Sequence, residues 1–562
     1  MKRPKNSSVE LNDNIDSQRS INLERWTLVA LAFLAVHAFV ILAAYHKAPE
    51  IFGDVNLYEW WVRRGFNGGG WPVLDYDWIY PIGALIPMLI PALWTDTTTG
   101  YNAFWVLLLV LLNAVTVWQL VRRSWNFISV IYWLTFLFAL GPIWLGRLDG
   151  VVAPLIILPL LTALSGGDHH PPVILRGDDG PSPVILRGDD GPSPVILREG
   201  RKPEVAGSLQ PSSETGLEVV GGPTEWNANR QIGLATALAT LGAWIKISPA
   251  AVVLVLAATA RNWRELLKKI VLPGAVVSAA LVALALLGGA GSRALSVFGE
   301  HGARGLQAES VAATWFSAQR LVDPGVEISF NEEIFTFEVQ GELARSVATA
   351  LDFLLPIAVI CLTAYIWYVA RRVYRLGTLD ADIALRDPAI PVVSRRDFIA
   401  PHSRGPRRIV EDDAVGWEPT GPQDDGIISR RTLSNRLSPV QSAVGGRIAG
   451  VVLWGVLALV CALIVFNKVG SPQFFAWVGA AIAAGLALDD KPKVWLIPAL
   501  LSLVGAIITQ LIYPWQYMPF IFGHTWMILL AAGRNLIYVI LLVWALLKIW
   551  RIGRNQPAIH IA

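Results

Sequence analysis

The stretch "IFGDVNLYEWWVRRGFNGGGWPVLDYDWIYPIGA" (residues 51–84) carries three aspartates, Asp54, Asp75 and Asp77, four tryptophans and a glycine run, and it follows directly on an apolar segment at 26–45. Tryptophan and tyrosine favour the zone where a bilayer meets water. The stretch therefore reads as a loop lying in the membrane interface, holding carboxylates over the end of a helical bundle. Residues 55–64 are expected to form a short helix ended by Gly65, and "YPIGALIPMLIPALW" (80–94) a re-entrant or interfacial piece.

The chain around it has the composition this reading needs. Of 562 residues, 54% are hydrophobic and 16% charged, and the mean hydropathy is +0.49. That is more apolar than a soluble core requires. A crossing takes about 20 apolar residues, and twelve candidates follow, near 26–45, 101–121, 127–145, 148–164, 232–246, 248–260, 267–288, 346–369, 446–466, 472–488, 494–511 and 524–550. The fold class is an all-α polytopic membrane protein.

Lysine and arginine set the orientation. Arg122/Arg123, the cluster at 261–269, "RRVYR" (371–375), Lys491/Lys493 and "KIWRIGR" (548–554) share one side if twelve helices cross and both termini are cytoplasmic. The polar start shows no small-residue cleavage site and reads as leading into an uncleaved anchor of a multi-pass plasma-membrane protein.

The expected order is a cytoplasmic tail (1–25), a first membrane part (26–164) with outer loop 46–100, and an insertion (165–229). A central membrane part (230–370) with outer loop 289–345, a second insertion (371–445), a last membrane part (446–550) and a tail (551–562) complete it. The first insertion repeats "PVILRGDDGPS" with a period of eleven residues. Both insertions are too rich in Gly, Pro and charge to bury a core, and both read as disordered cytoplasmic segments. The outer loop 289–345 mixes apolar and polar residues as a folded, functional element does.

Several polar residues stand where a membrane protein has to account for them. Asp54 at a helix start reads equally as an N-cap and as a functional carboxylate, and the two are compatible. Asp75 and Asp77 read as solvated loop acids. Arg147 and Asp149 in "GRLDG" (146–150) and Lys246 in "WIKISPA" (244–250) stand near helix ends, where charges are paired or line a hydrated cavity. Arg147 and Asp149 are two apart and do not face each other on a helix, so each needs another partner. His301, Arg304, Gln307 and Glu309 cluster in the second outer loop, and Lys468 and Gln473 stand at another outer helix end. Such Arg/Lys surroundings suit a phosphate ester. Cys361 and Cys461 lie in apolar segments as small hydrophobes rather than a disulfide.

No HExxH, cysteine pair at ligand spacing, Walker loop or GxGxxG is present, and His169/His170 fall in the repeat insertion. No metal site, soluble nucleotide cofactor or nucleic-acid partner is expected; whether a divalent ion assists stays open.

Taken in order, "GDVNLYEWW", "YPIGA" (80–84), "GRLDG", "KISPA" (246–250), "RGLQAES" (304–310), "NKVGSPQFFAW" (467–477), "YPWQY" (513–517) and "GRNLI" (533–537) resemble glycosyltransferase family 87, the actinobacterial polyprenyl-phosphate-mannose-dependent mannosyltransferases. Ile82 departs from the YPP that family members often carry. The resemblance implies a GT-C-like bundle of about 12 transmembrane helices with two functional outer loops. It implies a membrane glycosyltransferase moving mannose from polyprenyl-phosphate-mannose to a hydroxyl of a lipid-anchored glycan, such as phosphatidylinositol mannoside or lipomannan, and giving an alpha-mannoside. Asp54 would be the general base of an inverting single displacement. Arg304 and Lys468, with Arg147 and Lys246 behind them, would hold the donor phosphate. His301, Gln307, Glu309, Gln473, Tyr58 and Asp149 would contact sugar or acceptor, although Tyr58, Trp60 and Trp61 read better as interfacial anchors. Two other readings stand beside it: an arabinosyltransferase using polyprenyl-phosphate-arabinose, and a transporter or flippase for a lipid-linked glycan.

Overall fold

The computed structural model describes residues 7–123, 127–164, 223–296, 299, 304–323, 325–332, 336–386 and 430–554. The eleven-residue repeats, the centre of the second insertion, His169, His170 and His301 lie outside the described residues.

The first half runs α1 (Ser7–Lys47), α2 (Gly53–Phe66), α3 (Leu85–Ala92), α4 (Thr98–Arg123), α5 (Ile128–Leu140), α6 (Asp149–Val152), α7 (Pro154–Leu164), α8 (Pro223–Ile245) and α9 (Ala250–Thr259). Among the described residues, seven helices are long and apolar enough to cross a bilayer: Glu24–Lys47, Thr98–Arg123, Trp263–Leu287, Glu342–Asp380, Ala443–Val465, Pro492–Trp515 and Thr525–Arg554. The protein is a helical, multi-pass membrane protein.

The other five expected crossings are apolar helices of 10–17 residues. Local breaks shorten them. A turn through Gly141 and Pro142 separates α5 from α6, and "SP" at 248–249 separates α8 from α9. The piece at Ile82–Ala92 is about half the length of a crossing. Helices also run further than the composition suggested. Ser7 opens α1 inside the expected tail, Pro223 opens α8 inside the first insertion, and helices Glu342–Arg386 and Arg430–Val465 extend into both ends of the second.

Burial divides the helices into an inner and an outer set. Of the most apolar window of Ala443–Val465, 78% is buried, against 11% for Glu342–Asp380 and 17% for Trp263–Leu287. The inner set is closed by helix Phe475–Leu488, whose residues 475–487 are all buried. Its alanines and glycines let neighbouring helices approach closely, as packing inside a bilayer requires. The indoles of Trp454 and Trp495 stack beside it at 3.7 Å. Cys461 is buried in this core, Cys361 is exposed, and both are free thiols.

The loop expected at 289–345 corrects the purely helical expectation. Strands β1 (Ile328–Asn331) and β2 (Thr336–Val339) pair antiparallel, with Ile328 opposite Val339 and Asn331 opposite Thr336. Adjacent Glu338 and Val339 are both buried, so β2 is covered on both faces. Leu306, Phe316, Val339 and Leu351 form a small core under the hairpin, which fixes the loop on the end of the bundle.

Candidate functional site

α2 starts at Gly53 without a side-chain cap. The N-cap reading of Asp54 therefore gives way, because the carboxylate takes a charged partner instead: its Oδ1 lies 2.5 Å from Arg147 Nη1. Arg147 stands in the break between α5 and α6, and its Nη2 donates to Tyr513 Oη at 3.2 Å. Gly146 allows the approach, since a Cβ there would strike the Ile51 carbonyl. Burial works against the charge of Arg147, but Asp54 and Tyr513 outweigh it and hold its pKa above the ordinary value.

Three further ion pairs surround this one. Lys246 Nζ lies 2.7 Å from Asp149 Oδ2, and Trp477 Nε1 donates to Asp149 Oδ1 at 2.6 Å. Arg534 Nη1 lies 2.8 Å from Glu309 Oε2, while Nη2 donates to the Glu309 carbonyl at 3.0 Å. Lys468 Nζ lies 2.8 Å from Asp352 Oδ2. Arg147 and Asp149, two residues apart, thus have separate partners. Burial pushes the Glu309 carboxyl above its usual value, with Arg534 pulling the other way.

The second loop is stitched to the 466–477 stretch by backbone. Gln307 N donates to the Lys468 carbonyl at 3.0 Å, and Gly470 N donates to Gln307 Oε1 at 3.2 Å. Any side chain at Gly470 would run into the backbone of Ser310, so glycine is what lets the two segments touch.

These elements enclose a cavity of about 630 Å³, within the range of ligand sites. Asp54, Arg147, Arg304, Gln307, Glu309 and Gln473 line it, with an aromatic wall of Trp60, Trp61, Trp78, Tyr80, Phe337, Tyr513 and Tyr517. Asp77 stands exposed on its wall, whereas Asp75 accepts from Trp71 N at 2.6 Å and serves its own turn. Arg147 Nε, Trp78 Nε1, Tyr76 Oη and Thr336 Oγ1, on lining residues, are buried with no hydrogen-bond partner.

Four residues expected at the ligand stand back from the cavity. Lys468 and Lys246 are held by Asp352 and Asp149, since a buried ammonium needs a fixed counter-charge. Asp149 is itself fully buried in that pair. Tyr58 packs into the core against Trp105 at 5.3 Å, with burial raising its phenol far above the usual value. Glu309 does line the cavity, but Arg534 occupies its carboxylate. Trp60 is half exposed, whereas Trp61 is 8% exposed and packs against Trp78.

Sequence reasoning assigned no role to Arg534, Tyr513, Tyr517, Asp352 or Trp477. Arg534 carried a readable signal, a charge well inside the apolar run at 524–550. Tyr513 and Tyr517 sit in "YPWQY", at a kink whose Tyr513–Pro514 peptide is cis. Among the described residues, no group of three His, Cys, Asp or Glu side chains is placed to hold a metal ion. The chain matches no protein-family model, no curated protein and no solved structure.

Proposed function

We propose that the protein is a membrane glycosyltransferase that takes mannose from polyprenyl-phosphate-mannose in the outer leaflet and transfers it to a hydroxyl of a lipid-anchored glycan. The observation that carries this reading is the shared cavity of Asp54, Arg147 and Arg304 at the end of a membrane helical bundle. It supplies a carboxylate, held by Arg147, to take the acceptor proton and, in Arg304, a guanidinium, the group best suited to a phosphate leaving group. The acceptor oxygen attacks the anomeric carbon as the bond to the phosphate oxygen breaks. Asp54 takes the hydroxyl proton, polyprenyl phosphate leaves with the electron pair, and the anomeric configuration inverts to the alpha-mannoside. A phosphate leaves readily, so one carboxylate suffices where glycosidases use two.

The test supplies purified protein in bilayers with radiolabelled polyprenyl-phosphate-mannose or polyprenyl-phosphate-arabinose and a glycolipid extract. Label entering glycolipid from the mannose donor is expected. Label from the arabinose donor alone reassigns the sugar, and movement of unaltered lipid-linked glycan between leaflets without transfer replaces the reading with a flippase.

A further inference from the structure

We propose that a second cavity, behind α2, is a carbohydrate subsite that holds the acceptor glycan away from its reacting end. This rests on the transferase reading. The two faces of α2 carry the argument. Asp54, Leu57 and Trp61 follow one helical stripe and line the cavity described above, whereas Asn56, Arg63 and Asn67 follow another. That second stripe walls an open cavity of about 740 Å³, bordered on its other side by Asp96 and Thr98. Trp60 lies between the stripes and borders both cavities. A chain molecule could therefore pass from one to the other over a single indole.

The lining selects the ligand class. Its arginines are already answered within the protein: Arg63 Nε lies 2.5 Å from Glu59 Oε1 and Arg63 Nη2 donates to the Thr95 carbonyl at 3.3 Å. Arg64 Nε donates to the Gly69 carbonyl at 2.6 Å, and its guanidinium lies over the rings of Trp60 and Tyr76 at 5.3 and 5.2 Å. Arginines so engaged are poor seats for a phosphate. What faces the space is a set of exposed amide and hydroxyl groups, from Asn56, Asn67 and Thr98, and the exposed Asp96 carboxylate, an acceptor for sugar hydroxyls, beside a half-exposed indole. Hydroxyl-matching polar groups around an aromatic face suit a neutral glycan, whose rings offer hydroxyls at the rim and C–H bonds at the face. The volume leaves room for more than one sugar ring, so the acceptor would be an oligosaccharide rather than a single sugar.

The experiment fills the cavity without touching Trp60 or the catalytic side. Asn67→Trp and Thr98→Trp are made separately in the full chain, both at exposed positions, and melting temperature is compared with wild type. The probe is a soluble α-linked manno-oligosaccharide, with binding followed by ligand-observed NMR on protein in nanodiscs. Wild type is expected to bind, and each filled variant to bind about tenfold more weakly. In transfer assays the variants are expected to show a raised acceptor KM with kcat and donor KM kept. Unchanged binding in both folded variants, or no binding by wild type, overturns the subsite whatever the transfer result. Cavity-dependent binding by a protein that transfers nothing keeps the carbohydrate site and removes the transferase reading.

Discussion

Arg147 Nη1 lies 2.5 Å from Asp54 Oδ1, and that contact joins the start of α2 to the break between α5 and α6. It aims the carboxylate into the cavity and holds it there. Arg147→Met is therefore expected to lower transfer by about 10²-fold, the usual cost of one preorganised charged group, with Arg147→Lys recovering part. Initial rates at saturating donor, beside melting temperatures of the same samples, check this. Equal rates in wild type and Arg147→Met would remove the pair from the mechanism.

Glu309 and Arg534 are both buried, and removing either leaves a charge unpaired inside the bundle. Arg534→Met is expected to destabilise the protein by about 3–5 kcal/mol. Glu309→Gln combined with Arg534→Met should recover much of that loss, since no bare charge then remains. Thermal denaturation of the two single variants and the double variant reads the coupling.

Lys468 and Arg304 should separate cleanly. Lys468 is held by Asp352 outside the cavity, whereas Arg304 lines it. Lys468→Met is expected to leave donor KM near the wild-type value while lowering melting temperature, and Arg304→Met to raise donor KM about tenfold or more. Donor titrations of both variants decide the point.

Much of this site was readable before any coordinates, and the unread part has a physical cause. Membrane character, the short helix carrying Asp54, and the folded second loop follow from composition and periodicity, which are local. Pairing is not local: Asp54 meets Arg147, and Glu309 meets Arg534 from 225 residues away. The sequence placed charges at helix ends without saying which would answer each other, so Lys468 and Lys246 looked free for a ligand. The β-hairpin escaped notice because its strands are four residues each. Several candidate helices were legible as short or broken, but Pro and Gly within apolar runs do not announce whether a helix bends or stops.

Burial raises the phenols of Tyr58, Tyr80 and Tyr517 above the usual tyrosine value. The stability they contribute is fully present below about pH 10, where an unfolded tyrosine ionises, and is lost as pH climbs from there towards the folded values. Unfolding is expected to begin only above that pH, with tyrosinate absorbance appearing together with loss of near-UV circular dichroism. Tyrosinate formation by these residues in a still-folded protein at pH 10 would contradict their burial.

The most direct test of the central claim is single-turnover transfer by Asp54→Asn, which keeps the side chain's shape and a possible contact to Arg147's surroundings while removing the base. Purified wild type and Asp54→Asn would each receive radiolabelled polyprenyl-phosphate-mannose and glycolipid acceptor, with donor binding measured on the same samples. Donor bound with unchanged affinity and transfer slowed by about 10²–10⁴-fold is the predicted result. Transfer at the wild-type rate by a folded Asp54→Asn would contradict the assignment of Asp54 as the base.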